Sequence, residues 1–351
     1  MPTAGVHRVA LVGFGLAGKA FHAPLITSTG GLELSAIVTS RGDEVRAGFP
    51  EVRPVTRYAE VLADPAVSLV VLATPDHLHA EHALAAIAAG KHVVIDKPFA
   101  PTLAEAREIS ERARHAGTLL SIFHNRRWDS DFLTLRSLVE TGQLGDIVEY
   151  ESHFDRFRPG IGTRWKDRRD AGVWQDLGPH LVDQVLVLFG MPLAISADLA
   201  VLKPGGGAAD FARATLVYPT RRVTLHMSQT RHDHGLRFSV HGTKASYSKL
   251  GRDPQEDQSK AGMTPADPQW GNDPMPGQLI MTTASGQTKA SNVPALRGDY
   301  GAFYRGMSQA LSGKAPVPVT ANEALSVMEI IAAGNESHRQ RREVTLAKHH
   351  G

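Results

Sequence analysis

A glycine-spaced turn near the start of the chain constrains its fold more than any other feature. Arg8–Val12 is a short apolar run, and Gly13-Phe14-Gly15-Leu16-Ala17-Gly18 follows it directly. A helical stretch then runs to about Thr29 and is closed by Gly30-Gly31. Glycines spaced G-x-G-x-x-G between a strand and a helix meet three needs. The first permits a tight turn, the second lets a pyrophosphate approach the backbone, and the third lets helix and strand pack closely. The helix N-terminus beyond them offers N–H groups and partial positive charge to phosphate. The turn predicts a dinucleotide site formed by Gly13, Phe14, Gly15, Leu16, Ala17 and Gly18.

The rest of the first third repeats the strand–helix rhythm. Leu32–Val38 alternates with period two, and Ser68–Leu72, His92–Ile95 and Leu119–Phe123 are further β-rich runs. His77–Ala89 reads as a helix ending at Gly90, and Thr102 to about Ala116 as another stopped by Gly117. Such alternation predicts βαβ units and a parallel sheet. After Asn125 the pattern changes. A helix over Ser130–Thr141 and a strand over Ile147–Phe154 lead into an Arg-rich loop, then a helix over Pro179–Phe189. Ile195–Leu202, Phe211–Tyr218, Arg222–Ser228, Phe238–His241, Ala245–Lys249 and Leu279–Thr283 then read as strands without intervening helices, which predicts an antiparallel sheet. Helices over Tyr300–Leu311 and Ala321–Ser337 close the chain, the second opened by the capping box Thr320-x-x-Glu323. The expected fold class is α/β with two domains. Residues 1–125 form a dinucleotide-binding Rossmann domain. Residues 126–351 are expected to form a second α/β domain with a mainly antiparallel sheet, and the last helices are free to pack on either.

Length and composition agree and narrow the chemistry. The 351 residues suit two domains. Lys plus Arg number 38 against 36 Asp plus Glu, a net +2 that argues against a nucleic-acid binder. There is no cysteine, so disulfides, Cys-ligated metal sites and a thiol nucleophile are excluded. No run approaches the roughly 18 apolar residues of a membrane span. The N-terminal stretch lacks a signal-peptide pattern, which makes a cytoplasmic protein the expectation.

The cofactor's identity is read at the tip of the second strand. A carboxylate there binds the ribose 2′-hydroxyl of NAD. This chain instead reads Val38-Thr39-Ser40-Arg41. A hydroxyl followed by a guanidinium suits the 2′-phosphate of NADP, so Ser40 and Arg41 favour NADP over NAD, with Asp43 still within reach of a ribose.

Two groups offer catalytic side chains. Asp96-Lys97-Pro98 leaves the strand His92–Ile95, and in an open α/β sheet the ligand crevice lies at the carboxyl ends of the strands. Asp176-Leu177-Gly178-Pro179-His180 is the second, with Pro179 read as a first-turn residue, Asp176 near the N-cap and His180 about one turn on. A helix N-terminus favours neutral imidazole while a nearby carboxylate favours the charged form, a balance suited to proton transfer.

The turn Gly13–Gly18, Thr74-Pro75-Asp76-His77-Leu78-His79, Asp96-Lys97-Pro98 and Asp176-x-x-x-His180 occur in this order along nearly the whole chain. Together they resemble the Gfo/Idh/MocA family of sugar and polyol oxidoreductases. Phe123–Asp129, Phe154–Pro159 and Asp176–Gln184 are similar to its NADP-dependent scyllo-inositol dehydrogenase branch. One departure is Asp96, where the family usually has Glu. The resemblance implies that Lys97, Asp176 and His180 form the catalytic set, with His180 taking the hydroxyl proton, Lys97 hydrogen-bonding that oxygen and Asp176 orienting its neighbours. It implies that Thr74 and Pro75 line the cofactor crevice and that His77 and His79 lie near the nicotinamide ribose. It also implies that the second domain's sheet is open, that this domain serves substrate and subunit contacts, and that the sheet builds a homodimer or homotetramer.

Other signals count for less. His77, His79 and His82, and separately His232 and His234, are dense histidine groups, but their spacing implies no third ligand and hydride transfer needs no metal, so none is expected. Arg126, Arg127, Arg156, Arg158, Arg164, Arg168 and Arg169 interleave with acidic residues and read as a solvated or subunit-contact surface. Asn125, Trp128, Arg156 and Trp165 are candidates for facing a polyhydroxylated ring, which needs donors, acceptors and a flat apolar wall. The expected activity is hydride transfer between NADP and a secondary hydroxyl or ketone of a cyclic polyol or sugar, with scyllo-inositol and its 2-keto form leading. The rivals are an aldose or other polyol dehydrogenase, an unsaturated-ring reductase of the same family, and a non-catalytic NADP-binding sensor.

Overall fold

Apolar runs in the first third of the chain pair into one parallel sheet. Its strands are β1 (His7–Val12), β2 (Leu32–Val38), β3 (Arg53–Val55), β4 (Val67–Leu72), β5 (His92–Ile95) and β6 (Leu120–Ile122). The structure is a computed structural model and describes residues 5–161, 172–233, 235–283 and 285–346. The strands lie in the order β3-β2-β1-β4-β5-β6, every neighbour parallel. Helices cover both faces of such a sheet, so its central strands are apolar throughout: Val9–Leu11 and Leu69–Leu72 are fully buried. The strand order reverses between β1 and β4, where a doubly wound sheet opens its ligand crevice. β3 carries Pro54 and lies at the edge, where a missing N–H costs no ladder bond.

The second sheet joins β7 (Ile147–Asp155), β8 (Ala194–Ala200), β9 (Phe211–Val217), β10 (Arg222–Ser228), β11 (Leu236–Gly242), β12 (Ser246–Leu250), β13 (Gly277–Thr282), β14 (Thr288–Val293) and β15 (Val344–Thr345). Their order is β14-β13-β12-β11-β7-β10-β9-β8-β15. β7 and β10 run parallel, and the other neighbours run antiparallel. One face carries Tyr150, Phe154, Leu225, Met227, Phe238 and Val240. It packs against Trp174, Leu181 and Val185 of the helix Gly172–Phe189 and against Val327, Ile330 and Ile331 of the helix Ala321–Gln340.

The chain forms two compact units that are not continuous in sequence. The first holds the chain up to Trp128 together with Gln255–Gly271 and Asp299–Leu325. The second holds Asp129–Pro254, Asn272–Gly298 and the chain from Ser326 on. A single cut between residues 125 and 126 therefore does not describe the compact units, because the chain returns twice to the first. The returns bring Trp270, Tyr300, Phe303, Tyr304 and Met307 into the core around β1 and β4. The helix Gly301–Leu311 belongs to the first unit, and most of Ala321–Gln340 to the second.

The structure corrects the start of one helix. Read as beginning at Pro179, it spans Gly172–Phe189 with Pro179 inside. An interior proline costs about 3 kcal/mol because its N–H is missing and its ring crowds the preceding turn. Trp174 supplies an opposing contribution of similar size. Its side chain is fully buried, its Nε1 donates to the Ile331 carbonyl at 3.0 Å, and removing such a side chain typically costs about 3–5 kcal/mol. Gly334 leaves room for the indole, since a Cβ there would lie 2.5 Å from the ring. No helix among the described residues is long and apolar enough to cross a membrane.

Candidate active site

The glycine turn is shaped as its spacing predicts. Gly13 adopts φ +102°, and a Cβ on it would come 2.5 Å from the Ala73 carbonyl oxygen at the end of β4. A Cβ on Gly18 would lie 2.2 Å from the Gly13 carbonyl oxygen. At Gly15 a Cβ would meet nothing within 4 Å. Two glycines are thus required by the protein's own packing, and the third faces open space. Phe14 is buried edge-on against Phe49, Ala17 is half-buried, and Leu16 is exposed. The turn leads into a short π-helical segment, Gly18–His22, and then the helix Ala23–Thr27. This cradle fits a pyrophosphate on an observation of the chain itself: a required close approach on either side of an open glycine.

Ser40 and Arg41 are exposed beyond β2, and the Arg41 N–H donates to Thr39 Oγ1 at 3.0 Å. The nearby carboxylates have cations of their own. Glu44 accepts from Lys19 at 3.0 Å, a bond that holds its carboxyl below the usual range, and Asp43 pairs with Arg46 at 2.7 Å. No hydrogen bond or ion pair of the Arg41 guanidinium is seen among the described residues.

The ends of β4 and β5 are joined by a histidine. His79 is buried; its Nδ1 lies 2.8 Å from the Pro98 carbonyl oxygen and its Nε2 lies 3.0 Å from that of Thr74. The ring thus lies between the two loops, and a neutral imidazole, with one N–H, donates to one of these two carbonyls. Thr74 is half-buried, and Pro75 and His77 are exposed beside it. The Lys97–Pro98 peptide is cis, and the Lys97 N–H donates to Asp96 Oδ1 at 2.9 Å. Burial alone would raise the Asp96 carboxyl, but His22, Lys97 and His79 outweigh it and hold the group below the usual range.

In the second unit, Asp176 and His180 lie four residues apart, one turn, on the helix Gly172–Phe189. Both are inside the helix rather than at its cap, so the N-terminal dipole argument for His180 does not apply. His180 is buried and stacks on Phe154 with ring centroids 6.5 Å apart. The guanidinium of Arg156 lies 4.8 Å from the same Phe154 ring and that of Arg252 5.3 Å. Arg156 and His180, both singled out from sequence, thus share one aromatic support; Arg252 is an addition that its place in an irregular loop gave no reason to expect. Asp176 lines a small cleft with Lys203, Asp210, Gln229 and the glycine-rich stretch between Lys203 and Asp210. Lys203 Nζ donates to Gln229 Oε1 there at 2.9 Å.

The remaining candidates scatter. Asn125 is buried and Trp128 half-buried, both in a short turn of the first unit, with Trp128 edge-on to Phe303. Trp165, with Arg164, Arg168 and Arg169, lies outside the described residues. Arg126 and Arg127 depart from the expected solvated surface: both are buried, the first paired with Glu256 and the second with Glu323 at 2.7 Å. Among the described residues the cluster with ligand atoms close enough for a metal is His153, Asp155 and His226, within 4.8 Å of one another. Its carboxylate is already compensated, Oδ1 by His226 at 2.9 Å and Oδ2 by Arg231 at 2.9 Å and His153 at 3.4 Å.

Two family models cover most of the chain. Residues 7–124 match the NAD-binding Rossmann fold of the oxidoreductase family, and residues 136–346 match its C-terminal alpha/beta domain. The chain belongs to the Gfo/Idh/MocA family of oxidoreductases. It is 44% identical over 343 residues to the uncharacterized oxidoreductase YdgJ of Escherichia coli, covering 97% of this chain and 99% of that one. It is 38% identical over 342 residues to scyllo-inositol 2-dehydrogenase (NADP(+)) IolW of Bacillus subtilis, covering 97% and 96%. The solved structure of YPO2259 from Yersinia pestis superposes with a TM-score of 0.95 at 44% identity, covering 99% of each chain. The family models break between residues 124 and 136, whereas the compact units follow the later returns of the chain.

Proposed function

We propose that this Gfo/Idh/MocA oxidoreductase uses NADP to interconvert a secondary hydroxyl and ketone of a cyclic polyol or sugar, with scyllo-inositol and its 2-keto form as the favoured pair. The observation that carries the substrate class is the end-to-end relation, at 38% identity, to a relative named for scyllo-inositol and NADP(+). The open Gly15 cradle and the available Arg41 guanidinium support the cofactor. Arg pairs with a phosphate through two parallel charge-assisted bonds, and the tip of β2 offers no carboxylate to repel one.

The cofactor, when bound, supplies the hydride acceptor. The chain's own residues do the rest. His180 accepts the hydroxyl proton as the carbon is oxidised. Lys97 donates a hydrogen bond to the substrate oxygen and stabilises developing negative charge. Asp176 orients its neighbours and faces the cleft that the hydroxyl-bearing ring enters. Arg156, on the Phe154 ring, offers a donor to that ring, and Thr74 and Pro75 border the cofactor. We further propose a cytoplasmic homodimer or homotetramer, built through the second sheet's face opposite the helices.

Replacing Lys97 by Ala tests the chemistry. Turnover should fall by orders of magnitude while NADP still binds. Near-normal activity would remove Lys97 from the mechanism.

A further inference from the structure

We propose that His22 is a positioning residue for Lys97, acting through Asp96 from inside the core of the first unit. The proposal rests on the reading of Lys97 as the donor to the substrate oxygen. His22 closes the π-helical segment behind the phosphate-binding glycines and is fully buried. Its ring lies 4.4 Å from that of Phe123, a packing place that a purely apolar ring would fill. Its nitrogens instead face two polar groups. Nδ1 is 2.6 Å from Tyr304 Oη, and Nε2 faces Asp96 Oδ1 across 3.9 Å.

The proton positions follow from the partners. Burial, together with the negative charge of Asp96, holds the Tyr304 phenol well above its ordinary range, so it keeps its proton. The hydrogen bond seen for that hydroxyl is to His22, so the phenol donates to Nδ1. Neutral imidazole with an accepting Nδ1 carries its proton on Nε2, the nitrogen aimed at Asp96. At 3.9 Å this is not a hydrogen bond but a dipole facing a carboxylate, and Nε2 has no hydrogen-bond partner. A buried N–H dipole interacts strongly with a charge at that range because little water screens it. The same oxygen, Asp96 Oδ1, accepts the Lys97 N–H at 2.9 Å. A single line of groups therefore runs from Tyr304 through His22 and Asp96 to the backbone of Lys97. It fixes the carboxylate and, with it, the turn from which the Lys97 side chain departs. His79 holds the far side of that turn at the Pro98 carbonyl.

The test compares His22→Phe, His22→Gln, Asp96→Asn and the His22→Phe/Asp96→Asn pair by steady-state turnover, NADP binding and thermal midpoint. His22→Phe keeps the ring volume and should lower kcat roughly tenfold with KM and NADP affinity near wild type, since misplacing a reacting group costs rate rather than binding. His22→Gln, which can still donate toward Asp96, should recover much of that loss. In the pair, the two losses should not add, because one residue acts through the other. Wild-type kcat in His22→Phe, or fully additive losses, would overturn the proposal. Should His22→Phe fail to fold, Tyr304→Phe removes only the proton donor; an unchanged kcat there would also overturn it. Lys97→Met separates the two readings. An inactive Lys97→Met beside a fully active His22→Phe sinks the positioning role alone, whereas an active Lys97→Met sinks the catalytic reading beneath it.

Discussion

A methyl group added at Gly18 would sit 2.2 Å from the Gly13 carbonyl oxygen, while one added at Gly15 would meet nothing. The two substitutions should therefore fail differently. Gly18→Ala should lower the thermal midpoint of the cofactor-free protein, by roughly 2 kcal/mol or more of stability, as overpacking against backbone does. Gly15→Ala should leave that midpoint near wild type and weaken NADP binding about tenfold or more, by keeping the pyrophosphate off the backbone. A Gly15→Ala protein with undiminished NADP affinity would remove the cradle from cofactor binding. Arg41 has a matching test. Arg41→Ala should weaken NADP about tenfold to a hundredfold and NAD little, because a charge-assisted fork on the 2′-phosphate is lost; equal effects would mean that Arg41 does not read that phosphate. At this scale the packing roles of Gly13 and Gly18 were legible, since each follows from spacing between a strand and a helix. The place of His79 was not, because no spacing says that its ring lies between the Thr74 and Pro98 carbonyls. His22 escaped notice for the same reason: a lone histidine in a helical run has no pattern, and its partners come from Asp96 and Tyr304.

The helix Gly172–Phe189 shows where element boundaries become invisible to local rules. Gly178-Pro179 reads as a helix start because proline is tolerated there, but Trp174, Ile331 and Gly334 hold the earlier turns in place through tertiary packing. β14 was missed because its residues are almost all exposed and show no apolar alternation; only its ladder to β13 defines it. The capping box at Thr320 was legible and forms in both directions, with Glu323 N–H donating to Thr320 Oγ1 at 3.2 Å and Thr320 N–H to Glu323 Oε2 at 2.8 Å. β7 and β10 gain a polar tie as well as a ladder. Burial would raise the Asp155 carboxyl, but hydrogen bonds from His153, His226 and Arg231 outweigh it and hold the group well below its ordinary value of 3.8. A depressed folded pKa contributes stability that is present above the ordinary value and is lost as pH falls through the folded one. Asp155→Asn should therefore destabilise by about 3 kcal/mol at neutral pH, on the scale of breaking a buried ion pair. Its gap from wild type should narrow as pH drops below 3.8. A gap that stays constant on acidification would mean that the ionised carboxylate is not what stabilises the pair.

At the scale of the whole molecule, the parallel and antiparallel character of the two sheets could be read from the rhythm of apolar runs, but the strand order and the discontinuous units could not. Trp270, Tyr300 and Phe303 lie far along the chain from β1, and nothing local marks them as part of its core. The second sheet leaves Glu149 and Arg222 directly opposite one another on the face away from its helices. Light scattering should return a mass two or four times the 37.8 kDa of one chain if that face joins copies, and a single-chain mass would contradict the proposed assembly. The most direct test of the account is hydride transfer itself. Purified protein should reduce NADP, followed by absorbance, in the presence of scyllo-inositol, more slowly or not at all with NAD, and Lys97→Ala should abolish the signal. Tight NADP binding without turnover on any of a panel of inositols and aldoses would contradict it and leave a cofactor-binding sensor in its place.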